Sequence, residues 1–149
     1  MAALIENKKA RLRFTILETF QAGIELSGAE VKSVRAKHGK LDGARVIVRG
    51  GEAFLIGMSI PPYQPSNTAA GYDPERSRRL LLKKQEIAEL LSAEERKGLT
   101  VVPIEMYNAG RYLKVRVAIV RGKGKSDKRE DLKLKEAKRE MDRALKHRA

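Results

Sequence analysis

ARVIVRGGEAFLIGMSI, residues 44–60, is the stretch on which the fold class turns. Ala44, Val46 and Val48 occupy alternate positions, so an extended backbone puts them on one face with Arg45 and Arg49 on the other. Gly50-Gly51 supplies two adjacent residues that accept positive φ, as a two-residue hairpin turn requires. On the return, Phe54, Ile56, Met58 and Ile60 alternate and are expected to share the inward face. An antiparallel hairpin follows, and the elements around it extend the same pattern.

Downstream, residues 99–107 and 112–120 alternate around Asn108-Ala109-Gly110-Arg111, predicting a second hairpin with Leu113, Val115, Val117 and Ile119 inward and Lys114 and Arg116 outward. Upstream, Leu12, Phe14, Ile16 and Phe20 alternate with Arg11, Arg13, Thr15 and Thr19, which predicts a half-buried strand over residues 11–20. Ser27-Gly-Ala-Glu30 has capping-box spacing, and Val31, Val34 and Arg35 continue at helical spacing to about Lys37, with Gly39 as the stop. Leu80-Leu81-Leu82 reads as a short strand followed by a helix carrying Ile87, Leu90 and Leu91. Ser92-Ala-Glu-Glu95 reads as a second capping box, opening a separate turn of helix that stops at Gly98. Residues 61–74, rich in Pro, Ser, Asn and Gly, form a surface loop. About six short strands joined mostly by hairpins point to a mainly β fold with short helices, a small antiparallel barrel of the OB type. An α+β sandwich would use the same elements.

The chain has 149 residues with 32 Lys+Arg against 19 Asp+Glu, a net charge of +13. Residues 1–120 hold 20 basic and 13 acidic residues, and residues 121–149 hold 12 and 6. The last 29 residues therefore carry nearly half the excess, with no aromatic and no β-branched residue. Such a segment lacks the apolar surface to offset its own ordering entropy, so the chain divides into a folded body, 1–120, and a basic tail, 121–149, disordered when free. Within the tail, Leu134, Ala137, Met141 and Leu145 form a narrow apolar stripe, while Lys135, Arg139, Arg143 and Lys146 cover much of the rest. Either a helix that forms on a partner or a solvated charged tail fits that pattern.

With no Cys and only His38 and His147, the chain lacks thiol nucleophiles, disulfides and the usual zinc ligand sets. No phosphate loop, dinucleotide fingerprint or nucleophile elbow is present, and Glu30 reads as a helix cap before it reads as a general acid. No apolar leader or membrane-length helix is visible, so the expectation is a cytoplasmic, metal-free binding protein with no catalytic residue and no cofactor. Four basic clusters stand out: Lys8, Lys9 and Arg11 with Arg13; Lys32 and Arg35 with Lys37; Lys114 with Arg116; and Arg121, Lys123 and Lys125. Together they suit salt-sensitive binding of a phosphate backbone. The low aromatic content favours a structured RNA over stacked single strands, although Tyr107 and Tyr112 flank a hairpin turn.

Six ordered motifs carry a resemblance to a known family. Asn7-Lys-Lys-Ala-Arg11, Glu18-Thr-Phe-Gln-Ala-Gly-Ile24, Gly28-Ala-Glu-Val-Lys-Ser-Val-Arg35, Asp73-Pro-Glu-Arg-Ser-Arg-Arg-Leu-Leu-Leu82, Gly98-Leu-Thr-Val-Val-Pro103 and Gly122-Lys-Gly-Lys-Ser-Asp-Lys-Arg129 resemble the SsrA-binding proteins, also called small protein B, over essentially the whole chain. The resemblance implies an OB-like barrel that binds the tRNA-like domain of transfer-messenger RNA and delivers it to stalled ribosomes for trans-translation, as a monomer that uses no membrane. It implies an RNA-binding face that includes Asn7, Gln21, Glu30, Leu81 and Lys114, with Lys123 and Lys125 at the tail root. Gln21 stands where the family commonly has Glu. The tail, including Ser126, Asp127, Lys128, Arg129, Lys135, Arg139, Met141, Arg143 and Leu145, would become helical on the ribosome against small-subunit rRNA of the empty decoding centre and messenger channel. A basic ribosomal structural protein is the second reading, and a nucleic-acid enzyme using Glu30 the third.

Overall fold

The computed structural model describes residues 3–64, 70–123, 139–141 and 143. Its elements are β1 (Ala3–Glu6), α1 (Lys8–Arg13), β2 (Phe14–Ile24), α2 (Gly28–Arg35), β3 (Arg45–Arg49), β4 (Glu52–Ile56), β5 (Arg78–Leu81), α3 (Lys84–Glu95), β6 (Leu99–Ala109) and β7 (Tyr112–Gly122). All seven strands join one antiparallel sheet in the order β1-β6-β7-β2-β5-β4-β3. The ends of that order are not hydrogen-bonded to each other, so the sheet stays open. It curls until β3 packs against β6, and α3 lies against both. The result is the expected mainly β, barrel-like fold, with a helix covering the seam.

The barrel interior collects Phe20, Ala22, Val46, Leu55, Leu80, Met106, Val115 and Val117, with Leu90 of α3 and Val34 of α2 reaching in. A second apolar layer forms on the outer face, where Ala10 of α1 covers Val102, Ile104, Ala118 and Val120. The middles of β6 and β7 are thus buried on both faces, which explains their nearly continuous apolar run. The open edge of β3 is managed by α3: the Val48 N–H donates to Glu94 Oε2 at 3.1 Å, and Arg49 pairs with Glu94 Oε1 at 2.8 Å.

The first hairpin forms as expected, with Gly50 and Gly51 at φ 61° and 78°. The inward face of its return strand is corrected. Ala53 and Leu55 are buried, while Phe54 and Ile56 are only half-buried. Gly57, at φ 80°, shifts the alternation by one residue, so Met58 and Ile60 do return to the core.

Residues 11–20 are also corrected, because residues 8–13 are helical. Asn7 caps α1, its Oδ1 accepting from the Ala10 N–H at 3.2 Å, and the Arg-Leu-Arg alternation there is the last turn of a helix. Leu12 is 63% exposed, and a bulge between Ile16 and Glu18 leaves Ile16 and Leu17 exposed as well.

At α2 the full capping box forms: Glu30 N–H donates to Ser27 Oγ at 3.2 Å and Ser27 N–H to Glu30 Oε1 at 2.9 Å. The helix ends at Arg35, earlier than expected, with Lys37 at φ 64°. Lys37 N–H donates to the Val34 carbonyl and His38 N–H to the Ser33 carbonyl, a Schellman ending with Lys in the usual glycine place. Gly39 serves packing instead, since a Cβ there would meet Ile5 Cδ1 at 2.7 Å. Ser92-Ala-Glu-Glu95 opens no second helix. It continues α3, which begins after Lys83, whose N–H donates to Glu86 Oε1 at 3.0 Å. β7 runs to Gly122, and the Lys123 N–H donates to the Arg13 carbonyl at 3.0 Å, so the folded body extends past residue 120.

Candidate nucleic-acid interface

The strand pair β2–β7 sets side by side several residues singled out in the sequence. Along their register, Gln21 lies beside Arg116 and Gly23 beside Lys114. Gly23 also pairs with Leu81 of β5. Because Gly23 has no side chain, Leu81 packs close over it, and a Cβ at residue 23 would sit 3.1 Å from Leu81 Cβ.

A groove of about 710 Å³ opens over this junction, floored by Ile24, Val31, Ile87 and Leu113 and edged by Gln21, Arg35, Leu81, Lys83, Arg111, Tyr112 and Lys114. Leu81 is 49% exposed and Tyr112 73% exposed, which gives the rim an aliphatic and an aromatic surface suited to bases or riboses. Arg35 Nη2 donates to the Arg111 carbonyl at 2.8 Å, tying α2 to the β6–β7 turn and holding that guanidinium at the rim. Gln21, Arg35, Leu81 and Lys114, drawn from four elements, are therefore brought together.

The outer face of β6–β7 continues from Lys114. Arg116 Nη1 reaches Glu105 Oε1 at 2.8 Å and its guanidinium lies 5.5 Å from the Tyr107 ring centroid. Arg11 of α1 approaches Glu105 Oε2 at 3.6 Å, and Glu6 of β1 pairs with Glu105 across the strands. Arg11 and Arg116 thus share a patch with two carboxylates. Lys8, Lys9 and Lys32 are exposed and away from the groove's edge. Tyr107 is buried, so of the two hairpin tyrosines only Tyr112 faces outward.

Asn7 and Glu30 sit differently from the rest. Asn7 is 3% exposed, and besides capping α1 its Nδ2 donates to the carbonyls of Pro103 (2.9 Å) and Leu41 (3.3 Å). Glu30 is 2% exposed and receives the Arg78 guanidinium at Oε2 through Nε (2.9 Å) and Nη2 (2.7 Å), together with Arg76 and the Tyr72 hydroxyl. Arg78 is fully buried and spends its other donors on the carbonyls of Met58, Pro74 and Arg76. Burial pushes the Glu30 carboxyl up, but hydrogen bonds from Arg76, the Ser27 N–H and Arg78 outweigh it and hold the carboxyl at about 2. Burial and the Glu30 charge together raise the Tyr72 hydroxyl. This network ties α2, the base of the 61–74 loop and β5, the elements that carry Arg35 and Leu81.

Of the tail residues, Arg139, Met141 and Arg143 are helical and exposed. Lys125, Ser126, Asp127, Lys128, Arg129, Lys135 and Leu145 lie outside the described residues. Sequence reasoning did not single out Gly23, Lys83 or Arg111. Gly23 had a local signal, a glycine inside an alternating strand, which marks close approach of a neighbour.

The family model described as SmpB protein matches residues 4–147. The chain belongs to the SmpB family. Among curated relatives, it is 48% identical over 143 residues to the SsrA-binding protein of Microcystis aeruginosa, covering 96% of this chain and 93% of that protein. It is 46% identical over 145 residues to the SsrA-binding protein of Thermosynechococcus vestitus, covering 97% and 95%. A solved structure concerning tmRNA-SmpB at the centre of the bacterial ribosome aligns with TM-score 0.66 and 43% identity, over 86% of this chain and 93% of its own. Among the described residues of this SmpB-family chain, no helix is long and apolar enough to cross a membrane.

Proposed function

We propose that this chain is a cytoplasmic RNA-binding adaptor, not an enzyme: it binds the tRNA-like domain of transfer-messenger RNA and brings it to stalled ribosomes for trans-translation. The observation that carries the reading is the convergence of Gln21, Arg35, Leu81 and Lys114 on one groove with Tyr112 at its mouth. Lys114 and Arg35 suit phosphates, Gln21 suits a hydroxyl or base edge, and Leu81 and Tyr112 suit an unstacked base or ribose. Such a mixed rim reads the shape of a folded RNA corner. Glu30 acts beneath it by holding α2 and β5 in place, while Asn7 anchors α1 to β6. In this reading the body and the RNA together imitate a tRNA, and the tail from Ser126 onward folds as a helix into the empty decoding centre and messenger channel.

A gel-shift series at physiological salt tests the binding step, with the tRNA-like domain expected to bind far more tightly than unrelated hairpins. Equal affinity for all of them overturns it. Deleting residues 127–149 is expected to leave that affinity intact and to abolish peptide tagging on stalled ribosomes. Loss of RNA binding on deletion overturns the division of labour between body and tail.

A further inference from the structure

The turn between β6 and β7 presents Tyr112, the most exposed aromatic residue among those described, and its backbone leaves one acceptor for α2 to take. Ala109 and Tyr112 are the last cross-strand pair, so Gly110 and Arg111 alone form the turn. Gly110 stands at φ 63° and Arg111 has no positive φ, the pattern of a tight hairpin turn whose first central residue is glycine. Such a turn closes through residues 109 and 112, which leaves the Arg111 carbonyl outside the ladder. Arg35 Nη2 donates to that carbonyl at 2.8 Å. The carbonyl belongs to the planar peptide unit that joins Arg111 to Tyr112, so this bond fixes the plane from which Tyr112 leaves the turn.

Arg35 can brace the turn because α2 is itself fixed. Val34 beside it is fully buried, Ser33 Oγ donates to the Pro61 carbonyl at 2.6 Å, and Glu30, about one turn earlier, holds Arg76 and Arg78. Arg35 meets no carboxylate within 4 Å among the described residues, so its donors are not drawn elsewhere. The tip of the hairpin has little else to hold it. A Cβ at Gly110 would meet open space, and among the described residues no other side chain hydrogen-bonds residues 109–112. Tyr112 is 73% exposed, its cross-strand neighbour Ala109 is small, and no cation lies over its ring among the described residues. The ring is left open to solvent at the mouth of the groove, two residues from Lys114 and on the same face of β7.

We propose that Arg35 is a positioning residue for RNA recognition: by bracing the Arg111–Tyr112 peptide it holds the Tyr112 ring in place to stack on an unpaired base of the bound RNA. The proposal rests on the adaptor reading above, in which the groove takes the tRNA-like RNA. Loops and bulges of a folded RNA display such bases, and an aromatic ring accepts any of them because every base has a π-face. A ring on a loose turn would have to be ordered as the RNA arrives, and the brace removes that cost beforehand. The planar guanidinium suits the task better than an ammonium, since its N–H directions are fixed. Its charge still faces the groove, as the adaptor reading requires, while its fork serves the turn.

The chain has no Trp, so Tyr112→Trp in the full-length protein places a single indole at the mouth of the groove as a reporter. With no RNA present, adding Arg35→Lys is expected to lower the fluorescence anisotropy of that indole and to leave the melting curve unchanged. The tRNA-like RNA is expected to quench the indole. In equilibrium binding to the same RNA, Tyr112→Ala should weaken affinity about 5- to 150-fold, the range for one lost stacked base. Arg35→Lys alone should weaken it about 2- to 12-fold, the range for one side chain that must be ordered on binding. Its salt slope should match that of the unaltered chain, because the charge is kept. Placed on Tyr112→Ala, Arg35→Lys should change affinity by less than about twofold, since the ring it braces is gone. Additive losses in that cycle would mean that the fork touches RNA directly, and they overturn the proposal. So does unchanged anisotropy or unchanged affinity in the Arg35→Lys protein, or an indole that the RNA leaves unquenched. Equal affinity of the unaltered chain for unrelated hairpins would count against the adaptor reading alone, because anisotropy without RNA reads the brace directly.

Discussion

Glu30→Gln tests whether the buried carboxylate supports the RNA surface or touches RNA itself. The carboxyl titrates at about 2 in the fold against an ordinary 4.5. At about 1.4 kcal/mol per unit, that difference corresponds to about 3 kcal/mol of stability. Because the folded value is the lower one, this stability is complete above about pH 4.5 and lost as pH falls toward 2. The amide keeps the shape and removes the charge, so Arg78, fully buried, is left without its counter-ion. Removing one partner of a buried pair costs about 3–5 kcal/mol, which lowers the melting temperature by roughly 10–15 °C in a chain of this size. Urea unfolding of both proteins at several pH values between 7 and 3 supplies the assay. The gap between them should be widest at neutral pH and narrow toward pH 3, and adding Arg78→Met to the variant should recover part of the loss. At 20 °C, with both proteins folded, affinity for the tRNA-like RNA should be nearly the same. Glu30→Gln protein as stable as the parent at pH 7, or stable yet unable to bind RNA, would refute the supporting role.

Gly23→Val is expected to push Leu81 aside, because even a Cβ would lie 3.1 Å from Leu81 Cβ, and to weaken RNA binding with a stability loss of only about 1 kcal/mol; equilibrium binding and a melt on the same sample separate the two effects. Lys114→Ala should weaken binding to all tRNA-like sequences alike and reduce the slope of log affinity against log salt by about 0.7–0.9, read from a salt titration. Asn7→Ala should destabilise the body by roughly 2–4 kcal/mol in denaturant, since it leaves the Ala10 N–H and the carbonyls of Pro103 and Leu41 without their partner.

Elements whose signal is local were legible in the sequence. The Gly50-Gly51 hairpin, the Ser27/Glu30 capping box and the alternation of Leu113 to Ile119 form as read, because turn chemistry, capping and period-two burial act within a few residues. The errors share a different cause: a tertiary contact overrode a local pattern. Residues 11–13 alternate like the start of a strand, yet Asn7 reaches the carbonyls of Pro103 and Leu41 and thereby starts a helix that roofs β6 and runs to Arg13. Gly57 slips the return-strand parity beside Gly43 and Ala44, with a Cβ there only 3.2 Å from the Gly43 carbonyl oxygen. Ser92 has capping spacing but follows a helix already under way from Lys84. At the site, single residues could be named from motifs, but their division could not. Alternation places Lys114 outward and capping spacing marks Glu30 as a cap, but nothing in the local sequence says that Asn7 and Glu30 are buried or that Gln21 and Lys114 share one groove.

The same division sharpens what the basic excess does. Six arginines, Arg11, Arg49, Arg76, Arg78, Arg79 and Arg116, carry the ion pairs of the described fold, bridging strands and helices to Glu25, Glu30, Glu52, Glu94 and Glu105. The planar guanidinium suits that task because it can hold two acceptors in fixed directions, as Arg79 does between Glu25 at 3.3 Å and Glu52 at 3.2 Å. Lys8, Lys9, Lys32 and Lys114 meet no carboxylate within 4 Å among the described residues. Charge that is paired inside the fold contributes little to a phosphate outside it, whereas an unpaired ammonium displaces counterions from RNA at full value. Net charge therefore misplaces the binding surfaces when every basic residue is weighted equally. Subtracting the paired arginines leaves cations in several places, among them Arg35 and Lys114 at the groove and Lys9, Arg13 and Arg45 beside α1, with the balanced patch around Glu105 between these two. If that is the right division, Glu105→Gln should release Arg11 and Arg116 to the RNA, raise affinity for unrelated hairpins more than for the tRNA-like domain, and so lower specificity while tightening binding. A gel-shift comparison in which Glu105→Gln changes both affinities by the same factor would show that the carboxylate does not separate the two surfaces.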